Sequence, residues 1–346
     1  MNTTSQQRPT AMNPLRLGCV GLGEVFAIRH LPVLQDEARV EVVVVADVQA
    51  EAVQRTIEQL KCAGTDDWRK VLSDFEVDAL LICTPHHLHS EPAIAALQAG
   101  KHVLVEKPMA PTMAECRLMV QAAQETGAVL MVAENYFYMP ALQKMAALVE
   151  EGAIGQLTSL HLLQANPSVY PPKGHWRWSA HAGGGVMLDP GVHMCALAGW
   201  WGGPVQRVWA DMYYPPDPSC EVEDSVEAVV DCGEGVWGQI TVNWRTGAVG
   251  WRYEIQGTEG VLLYEYYRDA VPASLRLVNQ NGCQNFKVPL DYLSPHSYEN
   301  EWNDFLSSIS EGRQPEYPGE RGMADVAVVR AAYESYESGT WARVER

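Results

Sequence analysis

Three short strings in this 346-residue chain hold the side chains best suited to moving a proton near neutral pH. They are Cys83-Thr84-Pro85-His86-His87-Leu88-His89, Glu106-Lys107-Pro108, and the run from Gly183-Gly184-Gly185 to Asp189-Pro190-Gly191-Val192-His193. An imidazole, an ammonium and a carboxylate are the usual instruments of general acid–base work and of charge stabilisation. Asp189 and His193 stand four apart, so on a helix they would project from one face and converge on one substrate atom. The plain alternative for that pair is a capping aspartate and a satisfied core histidine. His86, His87 and His89 cannot all face one ion on a regular strand or helix, and no carboxylate or cysteine completes a zinc spacing, so no metal is expected. His87 reads as solvent-exposed.

These strings must be held by something, and the chain before residue 135 supplies it. Apolar runs at Leu15–Gly21, Val40–Asp47, Ala79–Thr84, Val103–Glu106 and Val129–Asn135 are too continuous for a sheet wetted on one side. Helix-length segments separate them, over Glu24–Gln35, on to about Leu60, Ser90–Ala99 and Met113–Gly127. The product is a doubly wound α/β unit with a parallel sheet. The first two strings then fall at carboxyl ends of strands, the edge where such sheets bind ligands. Beyond residue 150 lie ten of the eleven tryptophans, together with period-two runs at Leu157–Ala165, Val205–Tyr214, Val222–Asp231, Val236–Trp244 and Trp251–Gln256. These predict a large, mostly antiparallel sheet, with a hairpin at Gly257–Gly260 and a terminal helix over Glu320–Ser338. The domain organisation expected is a disordered tail over 1–13, a dinucleotide-binding Rossmann domain over 14–135, and an α+β domain over 136–346 for substrate and oligomerisation.

Where the first strand meets the first helix stands Val20-Gly21-Leu22-Gly23-Glu24-Val25-Phe26. The first glycine permits the tight turn, the second lets backbone N–H groups approach a pyrophosphate, and the helix N-terminus favours its charge. The third small residue of the usual pattern is replaced by Phe26, which predicts looser helix–strand packing or a tilted helix. Asp47, 24 residues past Gly23, ends the second strand, where a carboxylate accepts hydrogen bonds from ribose hydroxyls. It would repel a ribose phosphate, and no arginine follows before Arg55, so NAD is expected over NADP. Asp47 can also cap the following helix.

Composition limits the partners. Forty-three Asp and Glu against 25 Lys and Arg give a net charge of −18, a field that repels nucleic acid and anionic lipid surfaces. Eight cysteines without a C-x-x-C pair suit free thiols in a reducing compartment, and a polar start with no apolar middle is no secretory signal, so a cytoplasmic location is expected. No window reaches the length of a membrane span.

Taken as a set and in order, the nucleotide turn at Gly21 and Gly23, the T-P-x-x-x-H string ending in His89, the E-K-P string and the G-G-G-x-x-x-D-x-G-x-H string resemble the glucose-fructose oxidoreductase, inositol dehydrogenase and rhizopine-catabolism (Gfo/Idh/MocA) family. The resemblance runs from about Leu15 to about Trp341. It implies a nicotinamide-dependent oxidoreductase acting at a secondary alcohol carbon of a sugar, cyclitol or related polyol, with Lys107, Asp189 and His193 around that carbon. His193 is then the expected base, Lys107 hydrogen-bonds the same oxygen, and Asp189 orients substrate or lysine; Lys107 is the alternative base, since an oxidised nicotinamide lowers its pKa. Gly21, Gly23, Glu24, Val25, Phe26, Asp47, Thr84, Pro85, His86, His89, Glu106 and Lys107 would line the coenzyme. In that family asparagine often stands at the position of His86, so its backbone is the part expected to act.

Asn135 and Tyr136, with His175, Trp176 and Arg177 in the ring-rich loop Tyr170–Trp178, are the further substrate-side candidates, since aromatic faces and forked donors suit sugars. The competing reading packs Trp176 and Trp178 into a subunit interface. Trp200, Trp201, Trp209, Trp237 and Trp244 would leave an open sheet face for a homodimer or homotetramer to cover. Two other functions fit parts of this pattern: net non-redox sugar chemistry through transient oxidation, and a non-catalytic dinucleotide-binding regulator.

Overall fold

The computed structural model describes residues 13–167, 171–268, 270–287 and 296–345. The expected tail, apart from Asn13, and Tyr170 lie outside them. Six parallel strands, β1 (Leu15–Val20), β2 (Val40–Ala46), β3 (Ala63–Thr65), β4 (Ala79–Ile82), β5 (His102–Glu106) and β6 (Leu130–Ala133), are ordered β3-β2-β1-β4-β5-β6. Helices α1 (Leu31–Asp36), α2 (Ala50–Leu60), α3 (Trp68–Ser73), α4 (Ser90–Gln98) and α5 (Met113–Thr126) intervene. Every residue of β4 and β6 is buried, as strands covered on both faces require. The strand β3 and helix α3 are short and go beyond the elements expected.

After α6 (Pro140–Glu150) the chain builds a nine-stranded sheet from β7 (Leu157–Ala165), β8 (Arg207–Tyr213), β9 (Ser225–Gly233), β10 (Val236–Asn243), β11 (Gly250–Gly257), β12 (Gly260–Tyr267), β13 (Val271–Asn279), β14 (Gly282–Phe286) and β15 (Ala342–Arg343). Its order is β14-β13-β12-β11-β7-β10-β9-β8-β15, and among the described residues the only parallel pair in it is β7 with β10. Strand β8 alternates exposed and buried at every residue, so one face is packed and the other is not. The packed face is covered by α7 (Gly191–Gly202) and α9 (Gly319–Ser338), while α8 (His296–Glu311) sits against α1 of the first sheet. Helix α7 is apolar almost all round and nine of its residues are buried, the signature of a helix enclosed by the core.

The aromatic face differs from the expectation. Trp200 and Trp201 lie on α7 rather than on the sheet, and Trp244 is buried. Only Trp209 and Trp237 of the five are exposed, with Trp341 edge-on to Trp237 at 5.8 Å and the Arg207 guanidinium over both rings of that pair. Trp178 belongs to the interior: its indole donates to the Pro171 carbonyl at 2.8 Å and its ring meets Trp244 edge-on. Among the described residues no helix is long and apolar enough to cross a membrane.

Candidate active site

A cleft of about 720 Å³, within the range of small-molecule sites, runs along the carboxyl edge of the first sheet and ends against the second half of the chain. At its outer end β1 passes into Gly21, at φ 87°. A Cβ there would stand 2.6 Å from the backbone of Cys83 and Thr84, so the turn needs glycine both for its angle and for its closeness to the next strand. Over Gly23 the corresponding position is open, with nothing within 4 Å. Asp47 accepts the Leu22 N–H at 2.7 Å with one oxygen and the Gln49 N–H at 2.8 Å with the other. It therefore ties the glycine turn to β2, and the N-cap of α2 is Gln49 rather than Asp47. Thr84 contributes a buried hydroxyl oxygen with no hydrogen-bond partner among the described residues. The open position above Gly23, the carboxylate of Asp47 and the unpartnered Thr84 hydroxyl fit a dinucleotide.

Phe26 is where the turn departs from its usual pattern, and the helix records it. Phe26–His30 forms a π-helical turn ahead of α1, and both of its end residues are buried. The widened turn seats the ring and brings His30 inward. The Trp302 indole N–H donates to His30 Nδ1 at 3.1 Å; an indole can only donate, so Nε2 carries the histidine proton and donates to Glu106 at 2.9 Å. Burial raises the Glu106 carboxyl, but His30 and then Lys107 outweigh it and hold the group below its ordinary value. Lys107 donates its own backbone N–H to the other Glu106 oxygen at 3.1 Å.

The inner end is a part-buried ion triad. Lys107 Nζ donates to Asp189 Oδ1 and to the Asp189 carbonyl, both at 3.0 Å, and Arg177 Nε donates to Asp189 Oδ2 at 2.6 Å. Burial disfavours all three charges, yet Arg177 and Lys107 hold the Asp189 carboxyl well below the carboxylate range. Likewise Asp189 and Glu106 override desolvation and raise Lys107. Lys107 is thus an ammonium in the protein alone. The Arg177 guanidinium stacks over Trp176, whose ring meets His86 edge-on at 4.6 Å.

His86 does more than its expected backbone role. Its Nδ1 donates to the Gly183 carbonyl at 2.7 Å, joining the two halves of the chain, and burial pushes its pKa down to about 3. His89 stands at the N-cap position of α4 without a side-chain capping bond; its ring lies between two carbonyls, those of Pro108 at 2.9 Å and Thr84 at 2.7 Å. His87, expected in solvent, is half-buried with its Nδ1 occluded, and its ring lies 5.7 Å from that of His181. His175 uses its Nδ1 to accept the Arg177 N–H.

Asp189 and His193 do not share a helix face. Asp189 lies in the turn before α7 and reaches Lys107 and Arg177, whereas His193 is on the first turn of α7 and reaches Glu134 at 2.6 Å. Pro190 and the glycine triplet set that turn; at Gly185 (φ 102°) a Cβ would meet the Glu223 carboxylate at 2.6 Å. The His193 ring stacks on Tyr136 at 3.9 Å and 2°. The cleft lining includes Lys107 and Asp189 but not His193, Asn135 or Tyr136, each at most 4 % exposed. Glu134 and His30 are the site residues that the sequence reading missed. Glu134 carried a usable signal, a carboxylate ending a parallel strand at the ligand edge, while nothing local marked His30.

Comparisons with known proteins agree with this layout. Residues 15–134 match the model of an oxidoreductase family with an NAD-binding Rossmann fold, and residues 142–263 match the GFO/IDH/MocA C-terminal domain. The dTDP-3,4-didehydro-2,6-dideoxy-alpha-D-glucose 3-reductase of Actinomadura kijaniata is 30 % identical over 334 residues, covering 94 % of this chain and 96 % of that protein. A levoglucosan dehydrogenase in complex with NADH and levoglucosan superposes with a TM-score of 0.88 at 25 % identity, over 96 % of this chain and all of the other. A 3-ketoreductase from Actinomadura kijaniata in complex with NADP and TDP-benzene gives 0.83 at 26 % identity, over 93 % and 98 %. Fold, nucleotide turn and both family models converge, and the chain belongs to the GFO/IDH/MocA family of oxidoreductases.

Proposed function

We propose that this oxidoreductase moves a hydride between NAD and a secondary alcohol carbon of a sugar, cyclitol or related polyol, with Lys107, Asp189 and His193 at the reacting carbon. The observation that carries the reading is the charged Lys107 ammonium lining the inner end of the coenzyme cleft, anchored by Asp189 at 3.0 Å. Bound nicotinamide supplies the hydride acceptor. Oxidation then leaves the protein two tasks, to take the hydroxyl proton and to stabilise charge on the oxygen. Lys107, held protonated by Asp189 and Glu106, donates a hydrogen bond to that oxygen. His193 Nε2 takes the proton, and the carbon–oxygen bond becomes a carbonyl. Asp189 fixes the ammonium, and Arg177 with Trp176 forms the substrate-side wall.

Asp47 supports NAD over NADP, because its carboxylate faces the place of a ribose phosphate and the neighbouring Arg69 is engaged by Glu91 at 2.6 Å. The exposed Trp209, Trp237 and Trp341 of the second sheet support a homo-oligomer that covers them.

The test is a screen of the purified protein with NAD and with NADP across aldoses, cyclitols, uronates and glycosides, following nicotinamide absorbance. Reduction of NAD by at least one neutral polyol, with kcat/KM about tenfold or more above that with NADP, is expected. Preference for NADP contradicts the coenzyme assignment. Product formation without net nicotinamide reduction replaces the dehydrogenase with net non-redox sugar chemistry.

A further inference from the structure

We propose that Glu134 is a positioning residue that fixes His193 in its Nδ1–H form, so that Nε2 offers a lone pair to the substrate. The proposal rests on the reading of His193 as the proton acceptor.

Glu134 follows β6 and is 1 % exposed. Its Oε1 accepts the Tyr136 backbone N–H at 3.2 Å and lies 2.6 Å from His193 Nδ1. An oxygen that already receives a backbone N–H is the accepting atom, so the proton between it and the ring belongs to Nδ1. A neutral ring then has its lone pair on Nε2, which has no hydrogen-bond partner among the described residues. The ring cannot turn away, because it lies flat on Tyr136 at 3.9 Å and the Tyr136 hydroxyl accepts the Trp251 indole N–H at 2.9 Å. A free imidazole has no such constraint; with the proton on Nε2 it would present a donor where the reaction needs an acceptor.

The same contact stabilises the state that follows. Once Nε2 has taken the hydroxyl proton, the ring is a cation in a dry site, and the Glu134 carboxylate at Nδ1 is its counter-charge. The charged and titratable groups around Glu134 leave it in that role. Lys107 attracts it from the E-K-P turn. Burial pushes Glu301 on α8 and Asp325 on α9 well above the carboxylate range, with Glu134 adding to both, and Tyr317 and Cys195 are raised in the same way. Burial thus disfavours the anions of Glu301 and Asp325, and Glu134 is the carboxyl group in contact with the ring.

The experiment uses the full chain and two variants. Glu134→Gln keeps shape and an accepting carbonyl but loses the charge; Glu134→Met loses both. Long-range proton–nitrogen correlation on protein carrying labelled histidine reports the His193 tautomer without any substrate, its signals being assigned by their loss in His193→Asn. The expectation is Nδ1–H in the wild type and in Glu134→Gln, with Nε2–H gaining in Glu134→Met. With NAD and whichever polyol the screen identifies, kcat should fall about tenfold in Glu134→Gln and about a hundredfold in Glu134→Met, with KM for NAD within about twofold. A wild-type His193 in the Nε2–H form, a tautomer indifferent to Glu134→Met, or an unchanged kcat in a folded variant would overturn the proposal. If no polyol is turned over, the dehydrogenase reading fails on its own and the tautomer measurement still decides this one; if Glu134→Met does not fold, the kcat of the isosteric Gln variant does.

Discussion

The two ends of the cleft are built in different ways. At the nucleotide end, Gly21, Gly23 and Asp47 act through backbone and near-surface groups, and the Asp47 contacts reach only to the adjoining turn and to Gln49 two residues on. At the reaction end the key contacts are long in sequence: His193 to Glu134 spans 59 residues and His86 to Gly183 spans 97, both buried, and the part-buried pair of Lys107 and Asp189 spans 82. One end is a local turn that any Rossmann unit can present. The other exists only once two sheets have docked, and its charges interact strongly because they are largely withdrawn from water.

That contrast predicts unequal costs for removing one carboxylate from each end. Asp189→Ala should be the costliest change, about 3–5 kcal/mol of unfolding free energy by urea titration, because Lys107 and Arg177, both mostly withdrawn from water, would lose the carboxylate they share. A loss below about 1 kcal/mol would mean that solvent reaches the triad and that the dry-site account is wrong.

A second carboxyl supports the reaction end through the turn that carries Asp189. Glu223 accepts the Met187 N–H at 2.8 Å and the Tyr333 hydroxyl at 2.9 Å, and burial, opposed by those bonds and assisted by Asp224, pushes its pKa up to about 7. A carboxyl raised on folding contributes stability that is complete below its unfolded value and lost as pH rises through about 7. Glu223→Gln should therefore match the wild type near pH 4.5 and exceed it at pH 8, by roughly 3 kcal/mol. Thermal melts across that range give the answer, and a difference independent of pH would show that Glu223 is ionised throughout.

At the nucleotide end Asp47→Ala should cost the least. Its two backbone bonds are partly exposed, so stability should fall by only about 1 kcal/mol. Binding of NADH, read by fluorescence titration, should weaken about tenfold while NADPH binding is unchanged or improved. Equal weakening of both coenzymes would reduce Asp47 to a structural tie.

The same division explains what could be read from the sequence. Strands β1, β2, β4, β5 and β6 were legible because two-sided burial writes continuous apolar runs, and Gly21, Gly23 and Asp47 were legible because the pattern that marks them is a spacing along the chain. Strand β14 has four of five residues exposed, so it carries no alternation to read. Lys107, Asp189 and Arg177 could be singled out, with Asp189 expected to orient substrate or lysine, but the contact of Arg177 with Asp189 was not foreseen. Spacing placed Asp189 and His193 on one helix face, and Pro190 instead starts α7 between them and sends the two side chains to different partners. Glu134 and His30 acquire meaning only from residues 59 and 76 positions away, which periodicity cannot show. Phe26 was recognised as a departure, but its consequence, a widened turn that turns His30 toward Glu106, required the third dimension.

The central claim is that Lys107 and His193 act together on one alcohol oxygen, and single-turnover NAD reduction in wild type, Lys107→Met, His193→Asn and the double variant tests it most directly. Each single change should slow hydride transfer by about a hundredfold or more with NADH binding nearly intact, and the double variant should be little worse than either, as for groups acting in one step. Losses that multiply in the double variant, or a single variant with an unchanged rate, would contradict it.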